Sequence, residues 1–229
     1  MSRKVYIDYA STTPVRQEVL KEMLPYFTEK FGNPSSIYEF GQQGRRAIDT
    51  ARKTIADIIG CSPKEVIFTG SGTESINFAL KGVAEANKEK GNHIITTKIE
   101  HHAVLHACQQ LEKNGFEVTY LNVNRDGFIS MEELEKAIKP NTLLVSIMYG
   151  NNEIGVVENI PEIAEIIQKY KKNNFPVFHT DACQAAGVLN INVQNLGVDL
   201  MTINAGKIYG PKGVGALYIK KGIKINPQM

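Results

Sequence analysis

Lys207 lies in "NAGKIYGPKGVGALYI" (Asn204 to Ile219), between a small-residue pair and a Tyr-Gly-Pro-Lys-Gly turn. An amine held in a crowded, buried site is hard to charge, so its pKa falls and it becomes a nucleophile. A lysine that snorkels instead keeps its head in water. Asp181 stands in "HTDACQ" (His179 to Gln184), at the end of an apolar run. A carboxylate there is costly to desolvate unless paired; its partner is either a protonated ring nitrogen or the first amides of a helix that it caps. "TGSGTES" (Thr69 to Ser75) is the third stretch. Its small residues let backbone N–H groups approach an anion at a helix N-terminus, and Thr73 adds a hydroxyl. The alternative is a tight turn before a capped helix. The stretch matches neither the P-loop nor the dinucleotide-binding pattern. His101 falls where a strand meets a helix, on the side where open α/β sheets bind ligands.

Together, an anion cradle, a buried carboxylate and a confined amine meet the demands of pyridoxal 5′-phosphate. The amine bonds the aldehyde, the acid keeps the pyridine nitrogen protonated, and His101 is placed to cover the ring.

These residues need a scaffold that brings strand ends together. "EVIFT", "NHIITT", "FEVTYL", "TLLVSIM", "PVFHTD" and "DLMTIN" read as strands, and a β-rich run follows Lys207. Most are near-continuously apolar, as in sheets covered on both faces. Between them, Glu74 to Lys88, Ala103 to Lys113, Met131 to Ile138 and Pro161 to Lys171 read as amphipathic helices. The alternation predicts an α/β fold, a largely parallel sheet with right-handed crossovers. Ahead of it, Arg16 to Glu29 and Gln42 to Ile59 read as helices, the first interrupted at Pro25. "FGNPSSIYEFG" between them reads as an ordered loop.

The net charge of +2 gives no reason to expect nucleic acid or an anionic membrane. The basic run "KYKK" suits a helix end. Cys61, Cys108 and Cys183 are scattered and odd in number, which suits a reducing cytoplasm. No signal core or membrane-spanning stretch is present. "NVNRDGFISMEE" (Asn122 to Glu133) has calcium-loop spacing, but its upstream flank is β-like; a turn at Asp126-Gly127 and a capping box from Ser130 to Glu133 explain it better. His102 and His106 are four apart, yet no further ligand accompanies them, so a surface pair is expected and no metal site.

The chain resembles the cysteine desulfurases of the NifS/IscS group, within the class V aminotransferase family of fold-type I pyridoxal-phosphate enzymes. The resemblance runs from "YIDYASTTP" (Tyr6 to Pro14) through "GNPSS", "TESINFALKG", "EHHAVL", "NNEIGVV" and "DACQ" to "KIYGPKGVGALY". It implies a cofactor-binding large domain with a mainly parallel seven-stranded sheet over residues 16–229, an arm over residues 1–15, and an N-terminal segment belonging to a small domain. It implies that Lys207 bonds the cofactor, Asp181 pairs with the pyridine nitrogen, and Gln184 hydrogen-bonds the ring 3-hydroxyl oxygen. His101 stacks on the ring and handles protons. Gly72 and Thr73 hold the phosphate, assisted by Asn204, and Asn152 binds cofactor or substrate carboxylate. The implied substrate is L-cysteine, with alanine and an enzyme persulfide as products. A homodimer and a sulfur-accepting scaffold protein are implied partners. Selenocysteine lyase, an aminotransferase relative and a non-catalytic cofactor-binding scaffold are the alternatives.

Two departures stand out. The group's common Ser-Gly-His-Lys is here Asn204-Ala205-Gly206-Lys207, so Gly206 offers the phosphate no side chain; Tyr38 also replaces a common histidine. Members of the group also run to nearly twice this length, and their later part carries the nucleophilic cysteine and a substrate-clamping arginine. Slow or absent sulfur release is therefore expected of these 229 residues alone. Cys183, flanked by Asp181 and Gln184, is expected to pack inward rather than replace that nucleophile.

Overall fold

The computed structural model describes residues 3–228. The apolar runs fold as β1 (Val66–Thr69), β2 (His93–Thr97), β3 (Glu117–Leu121), β4 (Thr142–Ser146), β5 (Val177–Asp181), β6 (Leu200–Asn204) and β7 (Gly215–Ile219). They form a seven-stranded sheet in the order β1-β7-β6-β5-β4-β2-β3. The β2–β3, β2–β4, β4–β5 and β5–β6 pairs are parallel, whereas β7 runs antiparallel to both β1 and β6. The reason lies in the connections. Residues 205–214 join β6 to β7, too few for the crossover of a dozen or more residues that a parallel return needs.

Neighbouring strand residues alternate between two cores, as the period of two requires. Ile95, Val145, Phe178, Met201 and Tyr218 face one layer. It holds α3 (Glu39–Ile59), α6 (Met131–Ala137), α7 (Ile160–Tyr170) and α8 (Val193–Leu196). Ile94, Leu144, Val177, Leu200 and Leu217 face the other, with α4 (Gly72–Ala86) and α5 (His102–Lys113). Two buried histidines knit the strands: the His93 ring meets Thr142 and Thr119, and the His179 ring meets Ser146 and Thr202. Burial pushes the His179 pKa down to about 3, so its neutral ring is part of the core.

The N-terminal helix is broken where Pro25 predicts it. α1 (Gln17–Met23) stops before Leu24, and Pro25 opens the short α2 (Pro25–Thr28). Neither buries a residue, and Phe27, Phe31 and Ile37 nearby are exposed. α3 begins at Glu39 rather than Gln42, and α4 at Gly72 rather than Glu74. The calcium-like stretch is a turn: Asn124 Oδ1 accepts from the amides of Asp126 and Phe128. Ser130 caps α6 through the Glu133 amide, half of the expected capping box. No helix among the described residues is long and apolar enough to cross a membrane.

Candidate active site

The parallel strands place their carboxyl ends along one edge of the sheet, where the singled-out residues gather. Lys207 ends a single 3-10 turn, Ala205–Lys207, directly after β6. It is half-buried and lines a cavity of about 190 Å³ with Asn204, Gly206, Lys212, Gly213 and Val214. The opposite wall is Ser71 and Gly72, at the N-terminus of α4, with Ser11 and Thr12 of the arm. Ser71 caps that helix by accepting from the Glu74 amide at 3.0 Å, while Glu74 Oε2 accepts from the Gly70 amide at 2.7 Å. The start of this fifteen-residue helix borders the cavity, where its dipole favours an anion.

Gly72 is required by close approach. A Cβ there would sit 2.8 Å from Cys183 Sγ and 3.2 Å from Asn204 Nδ2. Gly72→Ala is therefore expected to cost about 1–3 kcal/mol in denaturant unfolding through overpacking, and to narrow the cradle.

Asp181 ends β5, next to β6, and is buried. No helix follows for it to cap; its Oδ1 accepts from the Cys183 amide at 2.9 Å in a tight turn. His101 precedes α5, and its Nδ1 accepts from the Ala103 amide at 3.1 Å. That bond leaves the ring proton on Nε2. Burial chiefly holds the His101 pKa below its usual value; Asp181 opposes this, and Lys207 and His102 add to it. His101 is thus within electrostatic reach of both Asp181 and Lys207, although the three derive from the ends of β2, β5 and β6. Beside them Glu100 is buried. Desolvation first, and then the charge of Asp181, raise its pKa to about 8 against the hydrogen bond from the Met148 amide.

The other expected site residues take varied positions. Thr73 is exposed on the first turn of α4, one residue outside the cavity wall. Gln184 Nε2 donates to the Ala10 carbonyl at 2.9 Å, and Asn152 Nδ2 to Glu153 Oε1 at 2.8 Å. Cys183 packs inward as expected, its thiol pKa raised by burial. His102 and His106 are an exposed, stacked pair with centroids 5.5 Å apart. Lys212, Ser71, Ser11 and Thr12 were not foreseen. Only Ser71 carried a readable signal, the Ser-x-x-Glu capping pattern.

These residues fit the group that the sequence calls for. Asn204 Oδ1 is buried without a hydrogen-bond partner at the cavity; turning the amide over presents its N–H₂ there instead. The helix amides, two lysines and Gly72, with no side chain, suit a phosphate, and Asp181 suits a protonated ring nitrogen.

The aminotransferase class-V model matches residues 5–228. The chain is 56% identical over 227 residues to the cysteine desulfurase IscS of Dictyoglomus turgidum, covering 99% of this chain and 57% of that protein. It is 54% identical over 225 residues to that of Clostridium botulinum (strain Kyoto / Type A2), covering 98% and 56%. Among solved structures, a NifS-like protein superposes with a TM-score of 0.95 at 41% identity, covering 99% of this chain and 62% of that one. SspA in complex with cysteine gives 0.93 at 40% identity, covering 98% and 64%. The chain spans a little over half the length of the curated relatives it matches.

The sheet and its helices define an α/β protein with the fold of the pyridoxal-phosphate-dependent transferases. More particularly, the chain belongs to the aminotransferase class-V family.

Proposed function

We propose that the chain is the cofactor-binding part of a cysteine desulfurase, taking sulfur from L-cysteine to leave alanine and an enzyme persulfide. The reading rests on one arrangement above all: His101 lies within electrostatic reach of both Asp181 and Lys207, the three coming from three strand ends beside a helix-capped cavity that Lys207 lines. The names of the relatives, and the cysteine bound by a structural neighbour, support the choice of substrate. Bound pyridoxal phosphate would supply an electron sink for charge developing at the substrate Cα.

The chain's own residues serve that chemistry as follows. Lys207 would hold the cofactor aldehyde through its amine, and Asp181 would keep a proton on the ring nitrogen. With its Nδ1 bonded to the Ala103 amide, the neutral His101 ring would present its Nε2–H for moving protons at the bound cofactor. The α4 amides at Gly72 and Thr73, with Asn204, hold the phosphate. Gln184 and Asn152 each keep a second N–H free for the ring oxygen and a carboxylate. The persulfide would pass to a scaffold protein for iron–sulfur assembly or other sulfur transfer, from a cytoplasmic homodimer.

Purified chain supplied with pyridoxal phosphate is expected to turn yellow, and borohydride reduction to leave the label on the Lys207 peptide. Lys207→Ala is expected to abolish both. Label on another peptide, or none at saturating cofactor, would overturn the proposal.

A further inference from the structure

Thr13 is 3% exposed, although its neighbours Ser11 and Pro14 are open to solvent. Every polar atom it has is spent on the segment that carries Lys207. Its amide donates to the Gly206 carbonyl at 2.9 Å, and its Oγ1 donates to the same carbonyl at 3.0 Å. The same Oγ1 accepts from the Tyr209 amide at 2.8 Å, and the Thr13 carbonyl accepts from Lys212 Nζ at 2.6 Å. Both sides of Lys207, one residue before and two after, are thereby tied to one side chain almost two hundred residues away.

The segment needs such a tie. A Cβ on Gly206 would meet nothing within 4 Å, so nothing packs against that side of the residue before the lysine. Glycine is also the residue with most backbone freedom to lose. Tyr209 has φ of +62°, a left-handed conformation that costs a non-glycine residue about 1 kcal/mol or more. Its amide is held by Thr13 Oγ1, and its carbonyl accepts from the Arg16 amide at 3.0 Å. The Arg16 guanidinium lies 4.7 Å from the Tyr209 ring centre. The turn's own bonds, from the Ile208 and Gly210 amides to the Ala205 carbonyl at 3.1 and 2.9 Å, leave the Gly206 carbonyl and the Tyr209 amide to the arm.

We infer that Thr13 is a positioning residue for Lys207: its hydroxyl, bridging Gly206 and Tyr209, sets the direction of the amine. The inference rests on the cofactor-binding reading above. It assigns the arm a part in orienting the reactive amine from behind, beyond merely bordering the cavity.

The test compares Thr13→Val, Thr13→Ala and Thr13→Ser in the full 229-residue chain. Without cofactor, amide exchange in the peptide spanning residues 206–210 is expected to be faster in the valine and alanine forms. It is expected at the wild-type rate in serine, which keeps the hydroxyl. With pyridoxal phosphate added, attachment to Lys207, followed by absorbance and by borohydride mapping, is expected to slow roughly tenfold in valine and alanine, as loss of about two hydrogen bonds implies. Serine is expected to match wild type. Should valine yield no folded chain, alanine and serine carry the comparison. Exchange and attachment unchanged in alanine, or a serine form as slow as alanine, would overturn the role of Thr13. Failure of the wild-type chain itself to label Lys207 would overturn the reading beneath it.

Discussion

Replacing Glu100 with glutamine is expected to stabilise the chain by up to roughly 5 kcal/mol at pH 8.5 and by almost nothing near pH 4. Glu100 is buried; its Oε1 accepts from Thr97 Oγ1 at 3.1 Å and from the Met148 amide at 2.8 Å. Its Oε2 is buried without a partner. Folding raises the pKa from 4.5 to about 8, with burial the largest cause and Asp181 and Glu158 contributing. Between those values the folded chain binds a proton that the unfolded chain has released, so stability falls as pH rises across the window. Each pKa unit is worth about 1.4 kcal/mol, which sets the ceiling. Glutamine keeps the accepting oxygen and cannot ionise, so it removes this slope. Urea unfolding of both proteins at several pH values measures it. A stability difference between wild type and Glu100→Gln that stays constant from about pH 4.5 to 8.5 would show that Glu100 is not protonated in the fold. The consequence for the site is direct: an uncharged Glu100 puts no competing anion against Asp181, as the proposed pairing of Asp181 with a cationic ring requires.

Most of the sheet could be read before folding because its strands advertise themselves locally. "TLLVSIM" is apolar almost throughout, as expected of a strand covered on both faces. The antiparallel run of β7 was implicit in the few residues between Asn204 and Gly215. Lys207, Asp181 and His101 were legible for a related reason: Asp181 ends a strand, Lys207 and His101 follow one within a few residues, and parallel strands end on one edge. What escaped depends on long-range approach. Thr12, Thr13 and Lys212 meet only because the arm crosses the β6–β7 connection. Nothing within a few residues of Thr13 marks it as buried, since the turn it bonds lies at the far end of the chain. Glu100 escaped differently: next to two histidines it looks like a surface acid, and only tertiary burial makes it neutral.

The opposite edge of the sheet provides the second large effect. Asp199, immediately before β6, is 1% exposed. Its Oδ2 accepts from Lys171 Nζ at 2.5 Å and from the Phe178 amide at 2.9 Å, and its Oδ1 lies 3.3 Å from Lys220 Nζ. One carboxylate thus joins the end of α7, the start of β5 and the end of β7. Two cations share it, and Lys171 is itself largely buried. Asp199→Ala removes the anion but leaves Lys171 and the Phe178 amide out of water. Breaking a buried pair in this way costs about 3–5 kcal/mol, well beyond the worth of an exposed bridge. Asp199→Asn keeps an acceptor for the Phe178 amide and is expected to lose less. Lys220→Ala, at the exposed side of the cluster, is expected to lose under about 1 kcal/mol. Denaturant midpoints of the three variants should rank in that order. Because Asp199 lies at the far end of β6 from Lys207, cofactor attachment in Asp199→Asn should proceed as in wild type wherever the variant is folded. A loss in Asp199→Ala no greater than in Lys220→Ala would mean that solvent already satisfies the carboxylate, and that the three elements are joined by packing alone.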